Sequence, residues 1–439
     1  MDATSPADLL LRRLDLRGLP LDEVGHHLPR PEAVREGPVT AVRSILAAVA
    51  ERGDAAVLEL TARYDGVRLA RTRVDPAEIT AALERVPAEL RAALEFAAAR
   101  IRSFHQEQVV HDHEVRADGI TVDALVRAVD RAGCYVPGGR AAYPSTVLMT
   151  AIPALVAGVP EVVLCVPPDR HTGRIADVTL AAAAVVGITE VHAIGGAQAI
   201  GAMAYGTVSI SPVDVIAGPG NIFVAIAKRE VADHVGIAAA FAGPSEVVVI
   251  ADDTVDPELA AIDVILQAEH GPDGLGWLVT WDEAVADAVT DAVTRLVAVA
   301  PRREEITATL STAGYACVVD SREAAVAVSN AIAPEHLELL CADPHLLLPA
   351  IRSAGAVFCG PWSPASIGDY VAGPSHVLPT DGTARFASAL TVADFVKHIH
   401  VITVEPDGFD RVAPHVVAIA EAEGLDAHAE SIRLRRARR

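Results

Sequence analysis

The 439-residue sequence is poor in lysine and in aromatic residues. Lys228 and Lys397 are its only lysines, and aromatic residues make up 4% of the chain. Neither lysine stands in the Gly-Lys-Ser/Thr loop of P-loop proteins, so the sequence does not predict that class of nucleotide hydrolase. Pyridoxal phosphate enzymes need a lysine for their Schiff base, and neither lysine lies in a segment that suggests this role.

The sequence also lacks the features of a membrane or secreted protein. Its longest apolar run, residues 147–168, is interrupted by Glu161 and four prolines, which indicates a buried helix followed by a strand. The N-terminus has no basic segment before an apolar core, and the five cysteines have no metal-ligand spacing. We therefore expect reduced thiols in a cytoplasmic protein. The formal charge of −22 argues against a nucleic-acid partner and favours a cationic small molecule.

The pattern of apolar residues changes along the chain. Residues 30–105 show helical spacing, whereas from about residue 124 short β-branched runs alternate with helical segments. Runs that end in glycine or proline and are followed by a helix are typical of parallel sheets, and a second such series begins near residue 245. The sequence therefore predicts two α/β domains in tandem. The residues from about 390 onward are predicted to form a helical and mixed tail.

Glycine-rich loops follow several of the predicted strands, at residues 137–139, 195–198 and 218–221. Loops at the carboxyl ends of parallel strands commonly bind phosphate, so together they indicate a dinucleotide site. No GxGxxG motif is present, so a standard Rossmann phosphate loop is not predicted. For any single loop, ordinary turn formation is the better explanation of the glycines. Asn221 is likewise explained either by a cofactor contact or by a helix N-cap.

Residues that could bind a metal or transfer protons are present but scattered. Gln267 and His270 share one helix face near a helix end, although a histidine before a glycine is also a common helix cap. Asp369 and His428 are further potential ligands that spacing alone cannot bring together. No HExxH motif or paired CxxC motif occurs.

Glu335 and His336 are adjacent between a predicted helix and a predicted strand. A carboxylate and an imidazole at one loop can divide water activation and proton abstraction between them. A solvent-exposed pair at a helix end explains the same two residues without any chemistry.

Long blocks of the sequence resemble the histidinol dehydrogenase family, in order from about residue 30 to residue 428. The segments that carry this resemblance are RAGCYVPGGRAAYPSTVLMTAIPALVAGV, AIGGAQAIGAMAYGT, DVIAGPGNIFVAIAKREV, AGPSEVVVIAD, QAEHGPDG, NAIAPEHLELL and SIGDYVAGPSHVLPTDGTARFASAL. The resemblance implies that L-histidinol is oxidised through histidinaldehyde to L-histidine with two NAD, as the last step of histidine biosynthesis. It also implies one zinc ion per subunit.

The resemblance further implies a role for particular residues. The metal ligands would be Gln267, His270, Asp369 and His428. His336 would be the general base, and Glu335 would activate water. Residues expected to contact the substrate, besides His336 and the metal ligands, are Ser245, His376 and Glu423. Residues expected to contact NAD are Tyr135, Gln198 and Asn221.

The fold implied by the resemblance is α/β, with two incomplete Rossmann-like parallel-sheet domains and terminal arms that join two subunits. The expected limits are an N-terminal arm over 1–24, a first domain over 25–133 and 245–386 with the metal and substrate site, a second domain over 134–244 with the NAD-binding loops, and a C-terminal arm over 387–439 that reaches the partner subunit. We expect a homodimer with shared active sites, and neither nucleic acid nor membrane as a partner.

Two other functions remain open from the sequence. Glu335, His336 and a metal would also suit a zinc hydrolase, which would form no NADH and so give no absorbance at 340 nm. A small-molecule binding protein without catalysis is the other alternative, because a fold does not by itself imply chemistry. The presence of every acid, base and ligand expected from the resemblance argues against it.

Overall fold

Two parallel sheets, each covered by helices on both faces, dominate the fold. The computed structural model describes residues 10–29, 37–138, 141–238, 243, 245–270 and 274–438. None of the helices in these ranges combines the length and the apolar character that a bilayer crossing requires. All five cysteines are free thiols.

The first parallel sheet is built from residues 131–237. Its strands are β4 (Arg131–Tyr135), β5 (Glu161–Val166), β6 (Glu190–Ala193), β7 (Val215–Ala217) and β8 (Gly236–Ile237). The helices between them are α5 (Pro144–Val156), α6 (Asp177–Val185), α7 (Gly196–Tyr205) and α8 (Ile222–Glu230). The spatial order is β6-β5-β4-β7-β8. The direction of winding therefore reverses between β4 and β7, and in open α/β sheets ligands bind outside the carboxyl ends of the strands at this point.

Four helices that precede this sheet complete its two hydrophobic layers. They are α1 (Gly37–Arg52), α2 (Asp54–Tyr64), α3 (Pro76–Arg85) and α4 (Ala88–Gln106). Apolar residues of α3 and α4 share a core with α5 and α6 on one face, and those of α1 and α2 share a core with α7 and α8 on the other. We predicted residues 25–133 to belong to the first domain, whereas helices α1–α4 pack on the sheet of the second.

The second parallel sheet has six strands. They are β1 (Arg12–Asp15), β9 (Glu246–Ala251), β10 (Leu275–Thr280), β11 (Gly314–Val318), β12 (His336–Leu340) and β13 (Ala356–Cys359), in the order β1-β11-β10-β9-β12-β13. Its helices are α9 (Pro257–Leu266), α10 (Glu283–Val299), α11 (Arg303–Ala313) and α12 (Arg322–Ile332), followed by the short α13 (Ala365–Tyr370). Because β1 pairs with β11, the described part of the predicted N-terminal arm is an edge strand of the chain's own sheet.

An antiparallel sheet and two helices lie outside these layers. The strands are β2 (His113–Ala117), β3 (Ile120–Ala128) and β14 (Val396–Val404), and the C-terminal helices are α14 (Pro406–Ala422) and α15 (Asp426–Ala437). Our sequence analysis did not identify this sheet. The sequence does contain a signal for this sheet. Asp118-Gly119 connects β2 and β3, both residues have positive φ, and Asp-Gly is a preferred sequence for a two-residue hairpin turn.

Candidate active site

Glu335 and His336 lie at the amino edge of the six-stranded sheet, where helix α12 passes into strand β12. The helix ends at Ala333 in the left-handed conformation, which turns the chain sharply toward the sheet. The amides of Gly355 and Ala356 donate to the carbonyls of Pro334 and Glu335, each at 2.9 Å. These bonds attach the pair to the start of β13 and fix its backbone.

The imidazole of His336 is buried between two carboxylates. Only 3% of the residue is exposed. Its Nε2 lies 3.2 Å from Oδ1 of Asp369 on α13, and its Nδ1 lies 3.6 Å from Oε2 of Glu335. The ring of Phe358 stacks on the imidazole, with 6.0 Å between centroids. The pair is therefore not the solvent-exposed helix end that the two residues alone allowed.

The two carboxylates decide how readily His336 takes up a proton. Burial by itself lowers the pKa of the imidazole, but the charges and hydrogen bonding of Glu335 and Asp369 outweigh it and raise the pKa well above 6.5. While both carboxylates face it, the ring therefore holds a proton more tightly than a free imidazole does.

Glu335 has a second buried carboxyl beside it. Its Oε2 accepts a hydrogen bond from the backbone amide of Glu246 at 3.1 Å, and only 8% of the residue is exposed. Glu246 begins strand β9, and burial together with the charge of Glu335 raises its pKa to about 8. At neutral pH the Glu246 carboxyl therefore holds its proton, which avoids two adjacent buried charges.

A second pair of carboxyls, Glu338 and Asp263, lies next to the helix that carries Asp369. Glu338, on the same face of β12 as His336, accepts from the amide of Ala365 at the start of α13 at 2.8 Å. Asp263 of α9 lies next to this carboxyl, and burial together with Asp263 raises the pKa of Glu338. This pair joins the helix that carries Asp369 to the helix that precedes Gln267.

His376 connects the site to the other sheet. Its Nδ1 lies 3.0 Å from the carbonyl oxygen of Asp369, and its Nε2 lies 3.0 Å from Oγ1 of Thr146 on α5. Because a carbonyl only accepts, Nδ1 carries a proton, and a neutral ring then accepts from the threonine hydroxyl. Burial lowers the pKa of His376 and favours this neutral form. Both ring nitrogens are therefore engaged within the chain.

Of the proposed metal ligands, Gln267 and Asp369 can be described in detail. Gln267 follows α9, is 2% exposed, and its Nε2 has no hydrogen-bond partner among the described residues. A buried amide without a partner for its nitrogen fits a side chain whose oxygen serves a ligand, so the residues present are compatible with a metal. The side chain of His270 lies outside what the structure describes. Ser245 is half-buried immediately before β9.

The two candidate site residues of the C-terminal arm, Glu423 and His428, do not join this cluster. Glu423 and His428 are exposed, and α15 packs chiefly against α14. Within the described ranges, no three His, Cys, Asp or Glu side chains are arranged to hold a metal ion.

The residues expected to contact NAD lie at the carboxyl edge of the five-stranded sheet. The hydroxyl of Tyr135, which ends β4, accepts from the amide of Gly196 at 3.1 Å, two residues before the buried Gln198. Asn221 caps α8, because its Oδ1 accepts from the amides of Phe223 and Val224. The N-cap interpretation of Asn221 is therefore confirmed, and its side-chain amide nitrogen is not used in this cap.

The glycines at this edge allow loops to approach closely. A Cβ on Gly218, which has a φ of +109°, would lie 2.0 Å from the carbonyl oxygen of Tyr135. A Cβ on Gly138 or Gly195 would come within 2.7 or 2.5 Å of Pro167. The loops that follow β4, β5, β6 and β7 therefore pack closely against one another at this edge.

Sequence reasoning missed Glu246, Glu338 and Asp263. The available signal was a carboxylate within an otherwise apolar segment, as in EVVVIA, HLELL and AAIDVIL. A carboxylate at such a position is buried and must be neutral or partnered.

Comparison with known proteins agrees with this geometry. A family model described as histidinol dehydrogenase matches residues 28–436. The histidinol dehydrogenase of Pseudomonas aeruginosa is 46% identical over 434 residues, which are 98% of each chain. That of Chlorobium chlorochromatii is 46% identical over 396 residues, 90% of this chain and 92% of the relative. The chain belongs to the histidinol dehydrogenase family. It is accordingly an enzyme, an NAD-dependent oxidoreductase.

A solved structure agrees with this membership. The crystal structure of histidinol dehydrogenase from Elizabethkingia anophelis matches with a TM-score of 0.92 at 36% identity, covering 97% of this chain and 98% of that one. Both parallel sheets of the enzyme, and the α/β fold class that we predicted, are therefore those of the family.

The raised pKa of Glu246 gives a prediction for stability. A carboxyl whose folded-state pKa is about 8 contributes stability below the usual carboxyl range and loses it as the pH rises through 8. We expect the free energy of unfolding of Glu246→Gln, relative to wild type, to rise by up to about 1.4 kcal/mol per pH unit between about pH 5 and 8. Denaturant titrations at several pH values measure this. Glu84→Gln, at an exposed position, is the control, and a constant difference for Glu246→Gln would contradict the prediction.

Proposed function

We propose that this enzyme oxidises L-histidinol to L-histidine through histidinaldehyde, using two NAD, in the last step of histidine biosynthesis. The observation that carries the proposal is the buried cluster of Glu335, His336 and Asp369 in a chain of this family. It provides a proton acceptor and a second carboxylate in one protected site, which two successive oxidations of one carbon require. As a biosynthetic enzyme it is expected to work in the cytoplasm.

The charge of the site supports a cationic substrate. Glu335 and Asp369 flank His336, and the chain as a whole carries a formal charge of −22. An amino alcohol that is cationic in solution is attracted to a site and a chain with this excess of negative charge. Ser245 and Glu423 are proposed to contact this substrate, together with His336 and the metal ligands. His376 is proposed to do so as well, once its bond with Thr146 is exchanged.

His336 is proposed to take the proton of the substrate hydroxyl in the first oxidation. A general base must be held within hydrogen-bonding reach of the proton and must have a suitable affinity for it. Glu335 and Asp369 orient the ring, and a metal bound by Asp369 would offset the negative charge that raises the pKa of His336, so that the ring could be neutral and take the proton.

Glu335 is proposed to activate water for the second oxidation. Attack of water on the aldehyde gives a hydrate, from which oxidation yields the carboxylic acid. The Glu335 carboxylate is held by the amide of Glu246 through one oxygen, and the neutral Glu246 carboxyl leaves the neighbouring negative charge on Glu335. Glu335 can therefore accept a proton from water directly, without a transfer of that proton through His336.

One zinc ion is proposed to be bound by Gln267, His270, Asp369 and His428. Zinc has no redox role here and would supply a Lewis acid that positions the amine and imidazole nitrogens of the substrate. The unpartnered buried amide of Gln267 and the carboxylate of Asp369 support this assignment.

NAD is proposed to bind at the carboxyl edge of the five-stranded sheet through Tyr135, Gln198 and Asn221. When bound, NAD accepts one hydride in each of the two oxidations. The crevice at the β4–β7 reversal and the start of α7, which has no side-chain cap, support this location. Thr146 of α5 reaches His376, which connects this edge with the catalytic cluster.

A homodimer with shared active sites is proposed for two reasons. The apolar residues Ile399, Val401 and Ile402 of β14 are exposed, and because neighbouring residues of a strand point to opposite faces, this edge strand is uncovered on both sides. A cavity of about 460 Å³ beside it is lined mainly by valine and alanine. A second copy of the chain would cover these surfaces and bring Glu423 and His428 to the site of its partner.

The stoichiometry of the reaction tests the proposal directly. We expect each L-histidinol to yield two NADH and one histidine without free aldehyde, measured by absorbance at 340 nm and by chromatography. Glu335→Gln should slow the second oxidation by at least about a hundredfold and the first much less, because only the second needs activated water. One NADH per substrate with released aldehyde would refute the proposed function, and equal losses in both steps would refute the role of Glu335.

Removal of the metal should abolish activity, and added zinc should restore it. His270→Ala should lose bound zinc, because one of four ligands is absent, and zinc should not rescue its activity. We expect its NAD affinity to stay within about twofold of wild type, since the proposed NAD loops lie on another sheet. Metal analysis and calorimetric titration measure both. Loss of NAD binding by a folded His270→Ala protein would contradict the separation of the two sites.

Mixing two inactive variants tests whether His428 acts across the dimer. His270→Ala and His428→Ala should each be inactive alone. If His428 serves the partner's site, a mixed dimer has one site with both defects and one intact site. With random pairing about half of the dimers are mixed, so activity should approach about a quarter of wild type. No recovery after subunit exchange, verified by mass spectrometry, would mean that His428 serves its own subunit.

A further inference from the structure

Asp65 is an unassigned carboxylate beside the proposed NAD residues. It follows the last residue of α2, its amide donates to the carbonyl of Thr61, and Gly66 with a φ of +74° turns the chain away after it. Its Oδ2 lies 3.3 Å from Nε2 of Gln198. Asp65 therefore has a fixed position at the start of α7.

The Asp65 carboxylate lacks sufficient hydrogen bonds for its degree of burial. The bond from Gln198 is long, and it is the one described for this side chain. Burial raises the pKa of Asp65 to about 6, even though Arg170 acts in the opposite direction. A half-buried carboxylate with so few donors is stabilised by a ligand that brings hydrogen-bond donors.

The surrounding groups limit what this ligand can be. The amide-rich start of α7 and the Gln198 side chain suit a polar ligand, whereas the negative charge of Asp65 disfavours a phosphate at the same point. Hydroxyl groups of a sugar are neutral donors that suit a carboxylate, as in other dinucleotide-binding folds. Asp65 thus complements a ribose and not the pyrophosphate.

The position of Asp65 also distinguishes between the two riboses of a dinucleotide. Helix α5, which reaches His376 through Thr146, covers one face of the five-stranded sheet. Helix α2, which ends before Asp65, packs on the opposite face with α7. The catalytic cluster adjoins the α5 face, so the reacting nicotinamide belongs there and the adenosine half belongs near Asp65.

We propose that Asp65 accepts hydrogen bonds from the hydroxyl groups of the adenosine ribose and thereby selects NAD over NADP. The inference rests on the proposed cofactor site at this edge. NADP carries a phosphate on the 2′-hydroxyl of this ribose. In NADP a dianion would replace a donor at the Asp65 carboxylate, and this combines a lost hydrogen bond with charge repulsion.

Arg170 supplies a positive charge near Asp65, and this charge provides a second test of the role of the carboxylate. It is exposed, and its Nη2 donates to the carbonyl of Tyr64, the residue before Asp65, at 3.2 Å. With Asp65 removed, this guanidinium remains to attract a phosphate. The preference for NAD over NADP would then depend on the Asp65 carboxylate, whose charge outweighs that of the neighbouring Arg170.

Calorimetric titration of NAD, NADP, ADP and 2′-deoxy-ADP into the full enzyme tests the role of Asp65. We expect wild type to bind NAD at least about a hundredfold more tightly than NADP, and ADP about tenfold more tightly than 2′-deoxy-ADP. Asp65→Asn, which keeps the shape of the side chain, should lower both ratios. Asp65→Ser should bind NAD about tenfold more weakly and NADP more tightly, and Asp65→Ser combined with Arg170→Ala should lose that gain.

Glu59→Gln, on the exposed face of the same helix, is the matched control and should change no affinity. Circular dichroism identifies any variant that fails to fold, and Asp65→Asn is then the decisive one. Unchanged ratios in a folded Asp65→Asn protein would overturn the inference while leaving the cofactor site intact. Failure of wild type to bind NAD at all would instead refute the proposed cofactor site.

Discussion

The structure depends on burying several carboxyl groups around a single imidazole. Glu335 and Asp369 flank His336, Glu246 lies beside Glu335, and the pair of Asp263 and Glu338 lies behind the helix that carries Asp369. So many buried negative charges cannot coexist without compensation. The raised pKa values of Glu246 and of the pair formed by Asp263 and Glu338 indicate that these carboxyls retain protons, which reduces the negative charge around His336.

The two parallel sheets present their candidate residues at opposite edges: the cluster around His336 lies at the amino edge of the six-stranded sheet, and the residues proposed to contact NAD lie at the carboxyl edge of the five-stranded sheet. Both sheets have the same winding, and in each the strand order reverses once. At the reversal in the six-stranded sheet, the carboxylate of Asp252 accepts from the amides of Thr254 and Ala342 at 3.0 and 3.1 Å and so links the ends of β9 and β12. At the reversal in the five-stranded sheet, Tyr135 and the glycine loops lie together instead, and we propose that NAD binds there.

Much of the fold could be predicted from local sequence, because parallel strands buried on both faces are continuous apolar runs ending in glycine or proline. The runs before Gly138, Gly195 and Gly218 correspond to β4, β6 and β7. The assignment of α1–α4 to a domain could not be predicted in this way, since an amphipathic helix shows that it packs but not on which sheet. The hairpin at Asp118-Gly119 could have been predicted from its turn sequence, but the spacing of apolar residues alone did not reveal it.

The site was predictable only in part, for a related reason. Local spacing identified Glu335 with His336 as a reactive pair, but it favoured an exposed loop, because the burial of that loop depends on β13 and α13. Roles for Asp369 and His376 came from the family resemblance, since 33 residues separate Asp369 from His336. The supporting carboxyls were visible in the sequence as charges within apolar runs.

The stability of the C-terminal arm is not explained by contacts within a single chain. Helices α14 and α15 pack on each other and follow strand β14, which is exposed on both faces, so this region buries too little apolar surface to be stable alone. The uncovered strand and the proposed metal site with His428 as a ligand are two separate reasons to propose a second copy of the chain. One symmetric association would satisfy both, because in a twofold dimer each arm that covers the partner also delivers its polar residues to the partner. Stability of the arm and completion of the site would then be consequences of the same contact.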